Sequence, residues 1–173
     1  MADSRYVTGL FQDRDSAERA YSILTERGYG RDDFDLVMSD DTRRRHFGTA
    51  VAVTSELGTK AAEGAGIGGA IGGTVGAITA AIAALGTTLV LPGLGLVIAG
   101  PIAAALAGAG AGGAAGGLVG ALVGSGIPEE RIAAYESGIR EGGILIGVRP
   151  RNEIDARELE RSWSDANGRF IAA

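Results

Sequence analysis

Hydrophobic positions near the start of the chain follow the periods of a strand, a helix and a second strand. Residues 5–11 are predicted to form a strand, and a helical pattern runs from Asp13, a good capping residue, to about Arg27. The next strand covers residues 34–38, where alternation places three apolar side chains on one face: Phe34, Leu36 and Met38.

The end of the chain repeats this order after one additional helix. The pattern predicts a helix over residues 128–141, a strand over 144–148, an Asn152-capped helix over 153–167 and a strand over 169–172. The helical period places these side chains inward: Ile132, Tyr135, Ile139, Ile154, Leu159 and Trp163. We expect Trp163 to be a core residue.

Two βαβ units predict an α+β fold of the ferredoxin-like type, with four antiparallel strands and helices on one face of the sheet. Residues 1–54 supply the first half, and residues 127–173 supply the connecting helix and the second half. Residues 55–126 are predicted to be an insertion between the halves, and both of its ends must return to the same domain.

The stretch from Gly64 to Pro128 contains no Asp, Glu, Lys, Arg or His over its whole length. Glycines recur in it every fourth residue, and residues four apart share one face of a helix. The pattern therefore predicts glycine-zipper helices whose backbones approach closely, within the chain and between copies. The helix-packing and oligomer residues of this prediction are Gly64, Gly68, Gly72, Gly76, Gly108, Gly112, Gly116, Gly120 and Gly124.

We interpret the insertion as a helical hairpin. Its helices are expected over residues 55–85 and 101–123, with a turn near Thr87–Gly100 where Pro and Gly interrupt the pattern. At 1.5 Å per residue they would extend about 45 and 35 Å, enough for a hydrocarbon core of ~30 Å. The aliphatic content is low, since Gly, Ala and Thr outnumber Ile, Val and Leu between Gly64 and Leu85. A soluble oligomer whose hairpins bury one another is therefore the alternative to insertion in a membrane.

The composition of the chain limits the classes of partner that it could bind. The net charge of −5 disfavours nucleic acid, which requires a basic face, and the chain has no cysteine for disulfides or metal thiolates. The residues Met-Ala-Asp-Ser-Arg at the start do not form the apolar region of a signal peptide, so the ends are expected in the cytoplasm. Three consecutive cations before the insertion are candidates for contact with anionic lipid headgroups: Arg43, Arg44 and Arg45.

Patterns that could carry chemistry are weak. A G-x-G-x-x-G match at residues 64–69 lies within a helical pattern rather than between a strand and a helix, as nucleotide binding requires. His46 is the single histidine, and neighbouring Ser39 and Asp40 serve more simply as helix caps. The remaining acids near the second strand are interpreted as turn and strand-edge residues: Asp32, Asp33 and Asp35. We expect no catalytic residue, no cofactor and no metal site.

Six segments spread over nearly the whole chain form a recognisable set: Val7-Thr-Gly-Leu-Phe-Gln-Asp-Arg-Asp-Ser-Ala-Glu18, Met38-Ser-Asp-Asp-Thr-Arg43, Leu91-Pro-Gly-Leu-Gly95, Ala99-Gly-Pro101, Gly126-Ile-Pro-Glu-Glu130 and Gly142-Gly-Ile-Leu-Ile146. In these segments and their order the chain resembles the bacterial heat-induced stress protein family, which includes general stress and low-temperature-induced proteins. The resemblance implies a role in the stress response, often with a membrane-associated Gly-rich segment, and implies no catalytic residues.

The sequence thus predicts a non-enzymatic stress-response protein that self-associates and anchors to the inner membrane through its Gly-rich hairpin. One alternative is a soluble homo-oligomeric scaffold or shell in the cytoplasm, with the hairpins as its core. A second alternative is a ligand-sensing ferredoxin-like module, which would require a pocket that the sequence does not reveal.

Overall fold

The computed structural model describes residues 6–47, 88–91, 95–108, 127 and 129–172. The strands are β1 (Val7–Phe11), β2 (Phe34–Ser39), β3 (Thr88–Leu91), β4 (Leu96–Ala99), β5 (Ile144–Val148) and β6 (Arg169–Ala172). The helices are α1 (Arg14–Glu26), α2 (40–47), α3 (Pro101–Gly108), α4 (Glu129–Arg140) and α5 (Glu153–Asp165), with a short 3-10 turn at Arg31–Asp33.

The strands form one antiparallel sheet in the order β3-β4-β2-β5-β1-β6. β5 lies near its centre, where Ile146 pairs with Gly9 of β1 on one side and with Leu36 of β2 on the other. The predicted α+β class with an antiparallel sheet is confirmed.

Helices cover both faces of the sheet, so the prediction of helices on one face is wrong. Phe34, Leu36 and Met38 of β2 face a core formed with α1 and α5, whereas Val37 faces a second core. The second core forms because α3 and the connecting helix α4 pack on the opposite face, through Ile102, Ala103, Ile132, Tyr135 and Ile139. Central strands buried on both faces explain why β5 is apolar almost throughout.

The predicted turn near Thr87–Gly100 is also wrong, because this segment forms the β3–β4 hairpin. β4 pairs with β2 from Leu36–Ala99 to Ser39–Leu96, and β3 pairs with β4. The apolar residues of β4 are suited to this position, and each of them is buried. Both strands of the hairpin thus belong to the sheet, although they fall within the predicted insertion 55–126.

Of the two predicted hairpin helices, only the start of the second lies within the described residues. α3 begins at Pro101, as predicted, and is described to Gly108. The helix predicted over residues 55–85 and the rest of the second one lie outside the described part of the chain. Within that part, no helix combines the length and the apolar character needed to cross a bilayer.

Most of the helix caps and buried helix residues predicted for the two halves are confirmed. Asp13 and Asn152 cap α1 and α5 by accepting from backbone amides at 2.8 and 2.9 Å, and Ser39 caps α2 in the same way at 3.1 Å. Trp163 is fully buried, with its indole nitrogen donating to the carbonyl of Ala20. The inward position predicted for Ile154 is wrong, since this side chain is 70% exposed.

Candidate functional site

The glycine positions predicted to mediate packing lie almost entirely outside the described residues. Gly108 is the one exception, as the last residue of α3. The outcome for the others stays open, and these are Gly64, Gly68, Gly72, Gly76, Gly112, Gly116, Gly120 and Gly124. What the structure does describe is where the Gly-rich segments join the domain.

The Gly-rich part of the chain is attached to the domain at four places. Before the first segment (residues 48–87), Phe47 is buried in the core with α1 and α5, and after it Thr88 pairs with Ala99 in the sheet. The second segment (residues 109–126) leaves α3, whose Ile102 is buried, and returns at Ile127, which lies in the same core. Each segment therefore begins and ends at one domain.

A buried polar cluster holds the start of α3. Asp35 of β2 is 3% exposed, and its Oδ1 accepts from the backbone amide of Ile102 at 2.6 Å. Its Oδ2 accepts from the hydroxyl of Tyr6, which is 8% exposed and directly precedes β1. Both carboxyl oxygens of Asp35 are thus occupied by donors from two other parts of the fold.

Gly100 permits this contact. A Cβ atom there would lie 2.6 Å from Oδ1 of Asp35 and 2.6 Å from the carbonyl oxygen of Phe34. Its φ of +117° is in the region that L side chains rarely adopt. Only glycine therefore lets β4 turn into α3 against the backbone of β2.

Burial dominates the electrostatics of this cluster. It raises the pKa of Asp35 above its ordinary value, although the Tyr6 hydroxyl, the Ile102 amide and the charge of Arg149 each oppose the rise. Burial also raises the pKa of Tyr6, and the neighbouring Asp35 adds to that rise. Burial thus outweighs the three opposing contacts in setting the direction of the Asp35 pKa, although both carboxyl oxygens accept hydrogen bonds.

The sequence interpretation of Asp35 as a strand-edge acid is wrong. A detectable signal is present in the sequence, since Asp35 is an acid within an apolar strand, flanked by Phe34 and Leu36. Alternation places it on the face expected to meet solvent. That face is covered by α3 and α4, so the same alternation buries it instead.

A second polar cluster joins the end of α1 to the start of α5. Tyr29 donates to Asp155, and Arg27 contacts both Asp155 and Glu158 at 3.0 Å. The guanidinium of Arg151 lies 4.6 Å from the centre of the Tyr29 ring and donates to two carbonyls at the end of α1. Every group in this cluster has a structural partner, so we interpret it as a junction between helices.

The three candidate headgroup cations already contact carboxyl and carbonyl groups of their own helix. Arg43 makes two bonds to Oδ1 of Asp40, at 2.8 and 3.0 Å, and Arg44 pairs with Oδ2 at 2.6 Å. Arg45 donates to the carbonyl of Asp41 at 3.3 Å. Asp40 thus neutralises part of the basic surface, and contact with lipid headgroups stays a prediction.

No group of three metal-ligating side chains occurs in the part of the chain that the structure describes. Asp33 accepts from the backbone amide of Gly30 at 2.7 Å and closes the turn before β2, in agreement with its interpretation as a turn residue. The side chain of His46 is exposed, and its ring contacts that of Phe47.

Comparison with known proteins provides no relative: no protein-family model matches the chain, and no curated protein or solved structure is detectably similar to it. Function has therefore to be inferred from the residues and contacts of the chain itself. The likeness to heat-induced stress proteins stays a prediction.

Proposed function

We propose that this chain is a non-enzymatic protein that self-associates through its two Gly-rich segments, with the α+β domain as the base that fixes the ends of both. The observation that carries the proposal is the charge-free stretch from Gly64 to Pro128, whose segments are attached to one domain at both ends. Glycine every fourth residue suits close contact between helices of different copies.

We also propose that the domain has a ferredoxin-like fold, and the order of its strands supports this. The strands of the two βαβ units lie in the order β2-β5-β1-β6, so the first strands of the two units are neighbours at the centre. This is the arrangement expected when two βαβ units combine in a split manner. The β3–β4 hairpin extends the sheet beyond β2, and α4 adds a helix on the opposite face.

The length of the second segment favours association over a membrane span. Ala103 and Ile127 are both buried in one core, and residues 104–126 lie between them. Even as one continuous helix this stretch would extend about 35 Å, whereas crossing a core of ~30 Å and returning requires about 60 Å. Extended backbone would reach, but its polar groups would be unpaired in lipid.

A membrane span by the first segment is disfavoured for a different reason, which is its charge. Residues 48–87 could just cross and return as helix, at about 60 Å in total. The outward crossing would then contain Glu56, Lys60 and Glu63. Each charge at the bilayer centre costs about 2.5–3.5 kcal/mol on insertion scales, so a soluble contact between copies is the less costly arrangement.

The decisive experiment compares two substitutions at adjacent glycines. Gly116 is the middle member of the five-glycine repeat from Gly108 to Gly124, whereas Gly117 shares its spacing of four with Gly113 alone. Adjacent residues face about 100° apart on a helix, so the two substitutions would fall on different faces. We expect Gly116→Leu to lower the particle mass of the full chain, measured by size-exclusion chromatography with light scattering, and Gly117→Leu to leave it unchanged. Equal masses for both variants and the wild type would exclude the repeat as the contact.

Anchoring at the inner membrane is the second candidate, and the absence of charge from Gly64 to Pro128 is the observation that favours it. Shallow insertion of both segments would satisfy the length limits above. Membranes from expressing cells, washed with alkaline carbonate, distinguish the two candidates. Protein that stays in the washed pellet and needs detergent supports the anchor, and a uniform detergent-free particle supports the soluble assembly.

A stress-response role completes the proposal, and the resemblance of the segments around both halves of the domain supports it. Expression measured after heat, cold and osmotic shock tests this part separately. A transcript that does not change under any of these conditions would remove the stress assignment and leave the proposed assembly intact.

A further inference from the structure

We propose that Asn167 is a site of spontaneous covalent modification, at which the side-chain amide reacts with the backbone nitrogen of Gly168 and is converted to aspartate or isoaspartate. The isoaspartate form of the turn no longer holds β6 against β1. The inference concerns the domain itself and does not depend on what the Gly-rich segments bind.

The fold places this reactive pair where α5 turns into β6. Asn167 has a φ of +63°, in the left-handed region that glycine and asparagine adopt most readily. A Cβ atom at Gly168 would lie 2.8 Å from the carbonyl oxygen of Trp163 and 3.0 Å from Cε1 of Phe11. The turn therefore requires glycine at the second position and suits asparagine at the first, which is why the two occur together.

The side chain of Asn167 is available for the reaction. It is exposed, and among the described residues its amide has no hydrogen-bond partner. Gly168 has no Cβ atom to hinder the approach of its backbone nitrogen to the amide carbon. The other asparagine of the chain, Asn152, differs on both counts, because its Oδ1 accepts from the amide of Asp155 at 2.9 Å and the next residue is Glu153.

The reaction requires only water and hydroxide. Hydroxide removes the proton from the Gly168 nitrogen, which forms a bond to Cγ of Asn167, while the bond from Cγ to the amide nitrogen breaks. That nitrogen takes a proton from water and leaves as ammonia, and the chain is left with a cyclic imide. Water then opens the imide: cleavage between Cγ and the Gly168 nitrogen gives aspartate, and cleavage at the backbone carbonyl carbon of Asn167 gives isoaspartate.

The turn has to open before the imide can form. The backbone amide of Gly168 donates to the carbonyl of Trp163 at 2.8 Å, and that of Asn167 donates to the carbonyl of Ser164 at 3.0 Å. Both bonds belong to the end of α5, and helix ends open at little cost in free energy. We therefore expect the folded chain to react more slowly than the unfolded chain, at the rate that opening of this turn permits.

Isoaspartate weakens the attachment of β6 because it routes the backbone through the side-chain carbon and lengthens the turn. β6 is an edge strand, and its pairing with β1 is irregular between Thr8–Ala172 and Leu10–Arg169. Within this irregular stretch Phe170 has a φ of +52°, which is strained for a bulky side chain. Loss of β6 would make β1 an edge of the sheet, with backbone groups open to another chain.

Peptide mapping of the full chain by mass spectrometry, after incubation in a mildly alkaline buffer, tests the site. Trypsin cleaves after arginine, so Asn167 and Asn152 fall in separate peptides, residues 162–169 and 152–157. We expect the mass gain of amide-to-acid conversion, together with isoaspartate, in residues 162–169 and neither in residues 152–157. Asn167→Gly suits the positive φ but has no side-chain amide, so its peptide should gain no mass.

Amide hydrogen exchange tests the effect on the sheet. The isoaspartate fraction, separated by ion exchange, should lose protection in β6 and keep it in β5. Asn167→Asp is the matched control, because it carries the same added charge on an unaltered backbone and should keep the protection of β6.

Three results would overturn the proposal. The first is equal conversion of Asn152 and Asn167 in the folded chain, since the turn would then have no part in the reaction. The second is a folded chain whose residues 162–169 gain no mass while the same chain in urea converts fully, because the turn would then protect the amide. The third is an isoaspartate fraction whose β6 stays as protected as that of Asn167→Asp. These readouts are independent of particle mass, so they remain informative if the proposed self-association fails.

Discussion

At the scale of single residues, glycine allows a helix to lie closer to the sheet than any residue with a side chain would. Gly138 lies in the last turn of α4 and is buried, and a Cβ atom there would overlap Cδ2 of Leu10 in β1. Leu10 is itself fully buried, so its side chain has little room to move away. Glycine at this position is a requirement of packing, in conflict with helix propensity.

Gly138→Ala tests which of the two effects is larger. Propensity alone would stabilise the helix by about 1 kcal/mol, while overpacking a filled core costs about 1–3 kcal/mol. We expect a net loss of about 1 kcal/mol in the free energy of unfolding, measured by urea denaturation. Gly30→Ala is the matched control, because its Cβ would meet nothing closer than 3.4 Å, and should change stability by about 0.5 kcal/mol or less. Stabilisation by Gly138→Ala would mean that α4 is not held tightly against β1.

The sequence predicts the position and contacts of a residue when these depend on residues nearby in the chain. The caps Asp13 and Asn152 are determined by the next few residues, and Trp163 lies on a periodic helix face, so the sequence predicts all three. It does not predict the burial of Asp35, because that burial depends on α3, which is distant in sequence and comes from the middle of the chain. Local periodicity gives the face of a strand but not what covers that face.

At the scale of elements, the junction of α1 with α5 is a polar contact whose stability depends on pH. Burial raises the pKa of Asp155, but hydrogen bonds from Tyr29, Arg151 and Arg27 outweigh it and leave the pKa below its ordinary value. Burial and the bond to Asp155 raise the pKa of Tyr29 to about 12. The junction thus stabilises the fold at neutral pH. Its Asp155 contribution is lost as pH falls through the lowered pKa, and its Tyr29 contribution is lost as pH rises through about 12.

Asp155→Asn should therefore destabilise the domain by about 1–2 kcal/mol at pH 7, because charge-assisted hydrogen bonds become neutral ones. The difference from the wild type should shrink as pH falls, since protonation makes the wild-type side chain neutral too. Thermal unfolding followed by circular dichroism between pH 3 and pH 8 measures both effects. The control is Glu153→Gln, whose ion pair with Arg157 is largely exposed and should contribute about 0–1 kcal/mol. A stability difference for Asp155→Asn that is constant with pH would contradict this account.

The β3–β4 hairpin is the element that the sequence pattern described least well. Pro92, Gly93 and Gly95 interrupt the apolar pattern, which fits a turn between helices and a turn between strands equally. Apolar strands as short as β3 and β4 do not let periodicity decide. The edge of β2 determines that this segment forms strands, because β4 pairs with that edge and the pairing satisfies the backbone groups of β2 there.

At the scale of the whole molecule, the hairpin divides the charge-free stretch into two separate segments. A single insertion would be joined to the domain at two places, whereas each of these two segments has both of its ends joined to described elements of the domain. All the charges of the chain, which sum to −5, lie outside the stretch from Gly64 to Pro128. Association through the uncharged part and association through the charged part therefore respond to salt in opposite ways.

The mass of the particles at different salt concentrations therefore shows which part of the chain holds the copies together. Between 0.1 and 1 M NaCl the screening length falls from about 10 to about 3 Å, which weakens contacts between ion pairs and also weakens repulsion between like-charged domains. Particles held by the Gly-rich segments should keep or increase their mass, as light scattering would report. In 1 M NaCl, where the added negative charge is screened, replacing Arg43, Arg44 and Arg45 with glutamine should leave that mass unchanged, because these side chains contact groups of their own helix. A mass that falls in 1 M NaCl would place the contact on charged faces of the domain instead, because apolar packing is not weakened by screening.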